Sequence, residues 1–429
     1  MSKATITSRN EKEFTVLVTV PYRKSMLEGE EIVQAALNDA GCLMTGEILE
    51  QFDTDGSPIK IGDTKWTSKG KVQKTYQTPY GETTIERHVY QSPKGGRIFC
   101  PLERDARMII TGTPKFSKML SFKYSEFGAS RVVEDLIKNH QRKVARSFVQ
   151  DICDAVGAVA FAKEEDWKYE LPPLEEPTAT VAIGLDGTCM HIVEDGYRQT
   201  MVGTIALYDK DGERQHTIYT AAAPEYGKET FLNKFEDEVQ RIKVMLPKAN
   251  YVGIADGAKD NWEFLRERTD TQILDFYHAS EYVSTAADVM FPKKGEITDK
   301  KEWLDGACHD LKHKHRAAGR LLSEFQNFEP AKKLSKNSKK NLEKVVTYFE
   351  NNKSLMNYAD AVEKGFPIGS GVTEAACKVI VKQRLCSSGM KWGERGAAVV
   401  LSLRSLNYTK GRWDQFWNKI DRYGFPVAH

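Results

Sequence analysis

The chain has 429 residues, 28% of them charged and 40% hydrophobic, with a formal net charge of +2. That length exceeds one ordinary core and calls for two or three domains, while the near-neutral charge leaves any polyanion contact to local clusters. Seven scattered cysteines (Cys42, Cys100, Cys153, Cys189, Cys308, Cys377 and Cys386) include no CxxC pair, which argues against a zinc ribbon or a disulfide framework and for a reducing cytosol.

Residues 1–14 are polar and charged, unlike a signal peptide, and no apolar run nears the ~20 residues that span a membrane; residues 397–401 are too few, with Arg404 close behind. Residues 1–65 are weakly patterned, with one surface helix expected over 28–40. Residues 72–76 and 83–90 alternate β-branched or aromatic with polar side chains. Pro79-Tyr80-Gly81-Glu82 joins them and Lys94-Gly95-Gly96 makes a second turn, so 1–108 reads as an α+β accessory region. Residues 109–170 read as helical. Val132, Val133 and Leu136 mark a helix over 129–139, and Val144, Phe148 and Ile152 mark another over 143–155, with His140-Gln141-Arg142 between them. Two short helices with a tight break suggest a helix-turn-helix that offers Arg142, Lys143 and Arg146 to DNA. A helical hairpin with a solvated basic face fits the same pattern.

The Pro- and Glu-rich stretch LPPLEEP (171–177) marks a boundary. Strands follow over 178–184, 199–208 and 215–222, separated by Asp- and Gly-rich turns. A helix over 228–246 aligns Phe231, Phe235, Val239, Ile242 and Leu246 on one side. A wholly apolar strand over 251–255, a helix over 262–268 and a strand over 272–276 complete the pattern. The order βββαβαβ is that of an α/β, RNase H-like core, with three antiparallel strands and then parallel ones; its first part is 178–277. Residues 278–365 are polar and helical, with lysines at Lys332, Lys333, Lys336, Lys339, Lys340 and Lys344, and read as an all-helical insertion. After GFPIGSG (365–371) a helix over 373–385 opens the second part of the core, 366–410; residues 411–429 read as a C-terminal tail.

Three carboxylates fall at matching places in this pattern. Asp186 is expected at the end of the first strand and Asp256 just past the fourth, each followed by a glycine that lets the backbone turn. Glu374 opens the helix after the GSG break. A lone Asp-Gly is usually a turn, and a lone glutamate at a helix start usually meets the helix dipole. Together at one sheet edge they can hold two Mg²⁺ or Mn²⁺ ions, hard cations that prefer oxygen. One ion activates a water or 3′-hydroxyl and the other stabilises the leaving oxygen.

The residues GLDGT (184–188), IADGAKDNW (254–262), DFYHASEYV (275–283), PIGSGVTEAACKVIVKQR (367–384), SGMKW (388–392) and CPLERDA (100–106) resemble bacterial insertion-sequence DDE transposases of the ISKra type, over most of the chain beyond about residue 65. The resemblance implies metal-dependent cleavage and strand transfer of double-stranded DNA, both transposon ends and target, with Asp186 bridging the ions and Asp256 and Glu374 each binding one. It implies a homodimer or larger synaptic complex in the cytoplasm at the nucleoid, with no membrane partner. The 118 positions between Asp256 and Glu374 hold the helical insertion expected in such enzymes. Asp275-Phe276-Tyr277-His278 is similar to a (Cys/Asp)-x-x-His motif that places the histidine near the scissile phosphate; a histidine capping the next helix fits equally. Lys378, Lys382 and Arg384 are expected to contact the transposon end. The cluster His309, His313 and His315 reads as a basic, DNA-facing or solvated helix. The strongest rival is a haloacid-dehalogenase-like phosphatase, because Gly187-Thr188 follows Asp186; its nucleophile position would be Gly184, which cannot form an aspartyl-phosphate. Other rivals are a domesticated, non-catalytic DNA-binding protein and a junction resolvase.

Overall fold

The computed structural model describes residues 3–163, 166–225, 227–292, 297–330 and 333–425. Lys332 of the lysine cluster and the extreme ends of the first and last sequence segments lie outside them. The chain divides into two units, one of Met1–Tyr169, Ala398–Asn407 and Gly411–His429, the other of Glu170–Ala397 and Tyr408–Lys410.

In the first unit, β1 (Lys3–Arg9) and β2 (Phe14–Thr19) form an antiparallel hairpin, followed by α1 (Met26–Glu50), a helix about twice as long as its sequence pattern announces. Strands β3 (Ile59–Ile61), β4 (Thr64–Gln77), β5 (Glu82–Ser92) and β6 (Gly95–Phe99) make an antiparallel sheet in that order. The β4–β5 turn is fastened by Thr78, whose hydroxyl donates to the Gly81 carbonyl (2.9 Å). Helices α2 (Pro101–Asp105), α3 (Pro114–Glu126), α4 (Ala129–His140) and α5 (Arg146–Ala162) follow.

The second unit opens with β7 (Thr180–Ile192), β8 (Gly196–Tyr208) and β9 (Arg214–Ala222), an antiparallel meander. Next come α6 (Glu229–Met245), β10 (Asn250–Ala255), α7 (Lys259–Arg266) and β11 (Thr271–Leu274). The sheet order is β11-β10-β7-β8-β9, with β10 parallel to both of its neighbours. The central position of β7 explains its apolar run from Val181 to Leu185, buried throughout. Phe231, Phe235, Val239 and Ile242 of α6 are buried in the core beside this sheet. Gly203 of β8 admits the Phe235 ring, which comes within 2.6 Å of where a Cβ would stand.

The following helices are α8 (Phe276–Met290), α9 (Ile297–His313), α10 (Ala317–Gln326), α11 (Lys336–Asn352) and α12 (Tyr358–Glu363). Leu311, Phe325, Val345 and Phe349 from these helices belong to the same apolar cluster as the sheet, so this segment has no separate core. After α13 (Gly371–Ala376) the helix widens to π geometry over Cys377–Lys382 and closes with α14 (Gln383–Leu385).

The C-terminal part departs from the sequence pattern. In α15 (Glu394–Tyr408), residues 398–407 belong to the first unit rather than to the sheet unit. There Val399 packs into the space left by Gly157, and the buried Arg404 guanidinium donates to the Ser125 carbonyl and pairs with Glu126 (3.2 Å). The expected tail contains α16 (Arg412–Tyr423), which buries Trp413, Phe416, Trp417 and Ile420 in the first unit. Among the described residues no helix is long and apolar enough to cross a membrane.

Candidate active site

The geometry of the site begins in strand register. The parallel β7–β10 ladder runs from Thr180↔Asn250 to Gly184↔Ile254. Asp186 and Asp256 each lie two residues past its last pair, so both carboxylates leave at the same level of the sheet. Asp186 is not at a strand end, as its sequence suggests: β7 continues to Ile192 against β8, with Asp186 opposite Val202. Gly187 is accordingly no turn. It stands opposite Met201, and a Cβ there would meet the Gln199 side-chain nitrogen at 2.0 Å.

Strand side chains alternate between faces, so Asp186 shares the face of Gly184. That face meets α13: a Cβ on Gly184 would stand 2.2 Å from Thr373 Oγ1. The Thr373 and Thr204 hydroxyls share a buried hydrogen bond of 2.7 Å. Glu374 is the next residue, on the exposed side of the helix, and accepts from the Ser370 hydroxyl (2.8 Å). One turn later the buried Cys377 thiol donates to Asp186 Oδ2 at 3.6 Å. Asp256 is held from the other side. Its Oδ1 accepts from the Ala258 N–H (3.2 Å) and the Asn261 amide (3.4 Å), and the same amide reaches the Leu185 carbonyl (3.3 Å). Asn261 thus ties the Asp256 loop to the residue before Asp186.

Burial is the first cause that raises the Asp186 carboxyl above its usual range; the Gly187 N–H opposes it, and the negative charges of Asp256 and Glu374 add to the rise. Burial also pushes the Cys377 thiol up, with Asp186 adding to it. Among the described residues none of the three carboxylates has an ion-pair partner. A half-buried acid crowded by two like charges, with no cation from the protein, is a donor set suited to a hard divalent ion. The three groups do not bring one oxygen each within 4.8 Å of one another. The only His/Cys/Asp/Glu trio that does so among the described residues is His315, Asp360 and Glu363, all exposed. There the ring nitrogens are divided between the two acids (2.7 and 3.1 Å), which makes it a surface hydrogen-bonded triad. His315 therefore faces acids, contrary to the basic surface its sequence neighbours suggest.

Asp275, the first residue of the Asp-x-x-His motif, has a structural role that the motif does not assign. It is fully buried and caps α8, accepting from the His278 N–H (2.7 Å) through one oxygen and from the Ser370 N–H through the other. Its own N–H donates to the Ala255 carbonyl (2.9 Å), and Phe276 N–H donates to Ile368 (2.9 Å). Asp275 thus joins the end of β10, before Asp256, through its main-chain N–H to the N-cap of the Glu374 helix through its carboxylate. The cap of α8 is Asp275, and the His278 contribution to it comes from the main chain; among the described residues the half-buried ring makes no hydrogen bond to the three acids.

Two of the expected DNA contacts are corrected. Arg142 is 5% exposed. It donates to the Thr78 carbonyl (3.1 Å) and the Gln77 side chain (2.8 Å) and lies 5.2 Å from the Phe116 ring centre. Its fork fastens the β4–β5 turn to the helices, leaving Lys143 and Arg146 as the exposed cations. Arg384 is likewise buried, over the Trp392 ring (5.0 Å), whereas Lys378 and Lys382 are exposed. No protein-family model matches the chain, and no curated protein sequence matches it.

Proposed function

We propose that the second unit is the RNase H-like catalytic core of a DDE-type transposase, which hydrolyses phosphodiesters at transposon ends and transfers the 3′-hydroxyl strand into target DNA. The observation that carries this reading is the matched placement of Asp186 and Asp256, two residues beyond a shared parallel ladder, with Glu374 delivered by a helix seated on Gly184. Asp186, Asp256 and Glu374 would hold two Mg²⁺ or Mn²⁺ ions, which when bound activate the attacking hydroxyl and stabilise the leaving oxygen. The chain's own part is positional. Asn261 fixes the Asp256 loop against β7, Asp275 and Ser370 fix the start of the Glu374 helix, and Cys377 orients one Asp186 oxygen. Lys378 and Lys382 stand on the exposed side of the Glu374 helix and its continuation, where they meet substrate phosphates. Two ends have to be held together, so the working form is a homodimer or larger complex. The phosphatase alternative loses ground at Gly184, the position its nucleophile would need, because Thr373 fills that space.

The test is Mg²⁺- or Mn²⁺-dependent nicking of DNA that carries the element's own ends. Wild type is expected to cut, while Asp186→Ala, Asp256→Ala and Glu374→Ala bind the DNA and leave it intact. Variants that cut like wild type would remove the metal-site assignment.

A further inference from the structure

Beside Asp256 an open cleft of about 830 Å³ runs between α7 and α11. It begins at Gly257, the residue after Asp256, where the Tyr348 ring comes within 3.3 Å of a notional Cβ. Lys259 and Arg266 line one wall and Lys340 and Lys344 the other. All four are exposed, and among the described residues none has an ion-pair partner. Glu263 and Glu343 also line the cleft, so its walls carry net positive charge. Lys336, Lys340 and Lys344 recur every four residues on α11. Such a like-charged row is unfavourable for a helix until an anion lies along it. Tyr348 stacks on Tyr282 (3.7 Å between centroids, 7° between planes), and the Tyr348 hydroxyl is buried without a hydrogen-bond partner.

We propose that this cleft binds a short single-stranded DNA segment that continues from the scissile phosphate past Asp256, with Lys259, Arg266, Lys340 and Lys344 contacting its phosphates. The inference rests on the reading of Asp186, Asp256 and Glu374 as the cutting site. The chemistry of the walls selects a polyanion, and Thr347, Asn351 and Asn352 add polar groups beside the apolar surfaces of Trp262, Tyr282, Tyr348 and Leu355. The size is that of a small-molecule pocket, roughly 300–1,000 Å³. It has room for a few nucleotides of one strand. A basic groove beside aromatic rings is also the general form of sites that track single strands.

The test uses the full-length protein without divalent metal and a labelled fifteen-nucleotide oligo-dT, with anisotropy read across a salt series. Lys340→Glu/Lys344→Glu is expected to weaken binding about ten-fold and to flatten the salt slope by about 1.4, the value for two lost single-strand phosphate contacts. Lys248→Glu/Lys301→Glu changes the net charge equally at exposed sites that do not line the cleft and is expected to bind like wild type. Thermal melting verifies that each variant is folded. Equal losses in both double variants, an unchanged affinity in Lys340→Glu/Lys344→Glu, or a loss confined to duplex DNA would each overturn the proposal. Asp256→Asn separates the two readings. If it binds oligo-dT and does not cut, both stand. If wild type binds through the cleft lysines and never cuts, the transposase reading fails alone; if wild type cuts and the lysine variant binds oligo-dT normally, the cleft fails alone.

Discussion

Replacing Asp275 by alanine removes two hydrogen bonds from a fully buried carboxylate, one to the His278 N–H at the cap of α8 and one to the Ser370 N–H at the start of the Glu374 helix. Losing an N-cap acceptor costs about 1 kcal/mol, and losing a charged acceptor for a buried N–H costs about 1.5–3 kcal/mol. The sum is roughly 3 kcal/mol, which for a unit of this size lowers the midpoint by about 6–12 °C. Asp275→Asn keeps the shape and one accepting oxygen, so it is expected to lose about half as much. Circular dichroism melts give the stability, and the metal-dependent nicking assay gives the second readout. Both variants are expected to lose cutting more severely than binding at temperatures where they remain folded, because the Glu374 helix is no longer anchored to the end of β10. If Asp275→Ala melts within a degree of wild type and nicks at the same rate, the clamp assigned to this residue does not exist.

Gly184→Ala places a methyl group 2.2 Å from Thr373 Oγ1 and 3.3 Å from the Ile254 carbonyl. Overpacking of this kind costs about 1–3 kcal/mol; a denaturation midpoint unchanged from wild type would contradict the fit between β7 and α13, and adding Thr373→Ala is expected to recover part of the loss in a double-mutant cycle. The metal-free protein is expected to show a pH signature of the crowded site. The folded Asp186 binds its proton more tightly than the unfolded chain does, so its contribution favours the folded state at low pH and is lost as pH rises from 3.8 through the raised folded value. Asp186→Asn is expected to raise the metal-free melting temperature at neutral pH, and Mg²⁺ to stabilise wild type but not the variant; a variant less stable than wild type at neutral pH without metal would refute this.

Much of the sheet unit was legible because local pattern and tertiary role agree. The wholly apolar run of β10 announces an inner strand, Phe231, Phe235, Val239 and Ile242 announce the buried face of α6, and Asp256 and Glu374 stand where a strand ends and a helix begins. The sequence by itself therefore determined the mixed α/β class, the order of elements from β7 to β11 and the three candidate carboxylates. Only the tertiary structure decided that Arg142 and Arg384 are interior cations. A guanidinium is buried when carbonyls and rings receive it, and for Arg142 those lie at Thr78, Gln77 and Phe116, 26 to 65 positions earlier in the chain. It also decided that Asp186 sits mid-strand, since the length of β7 is set by its pairing with β8. The same holds for Asp275, whose importance comes from meeting Ser370, 95 positions away. Periodicity reports which face of an element is apolar; which distant group covers that face, or accepts a proton inside it, depends on contacts that no local pattern encodes.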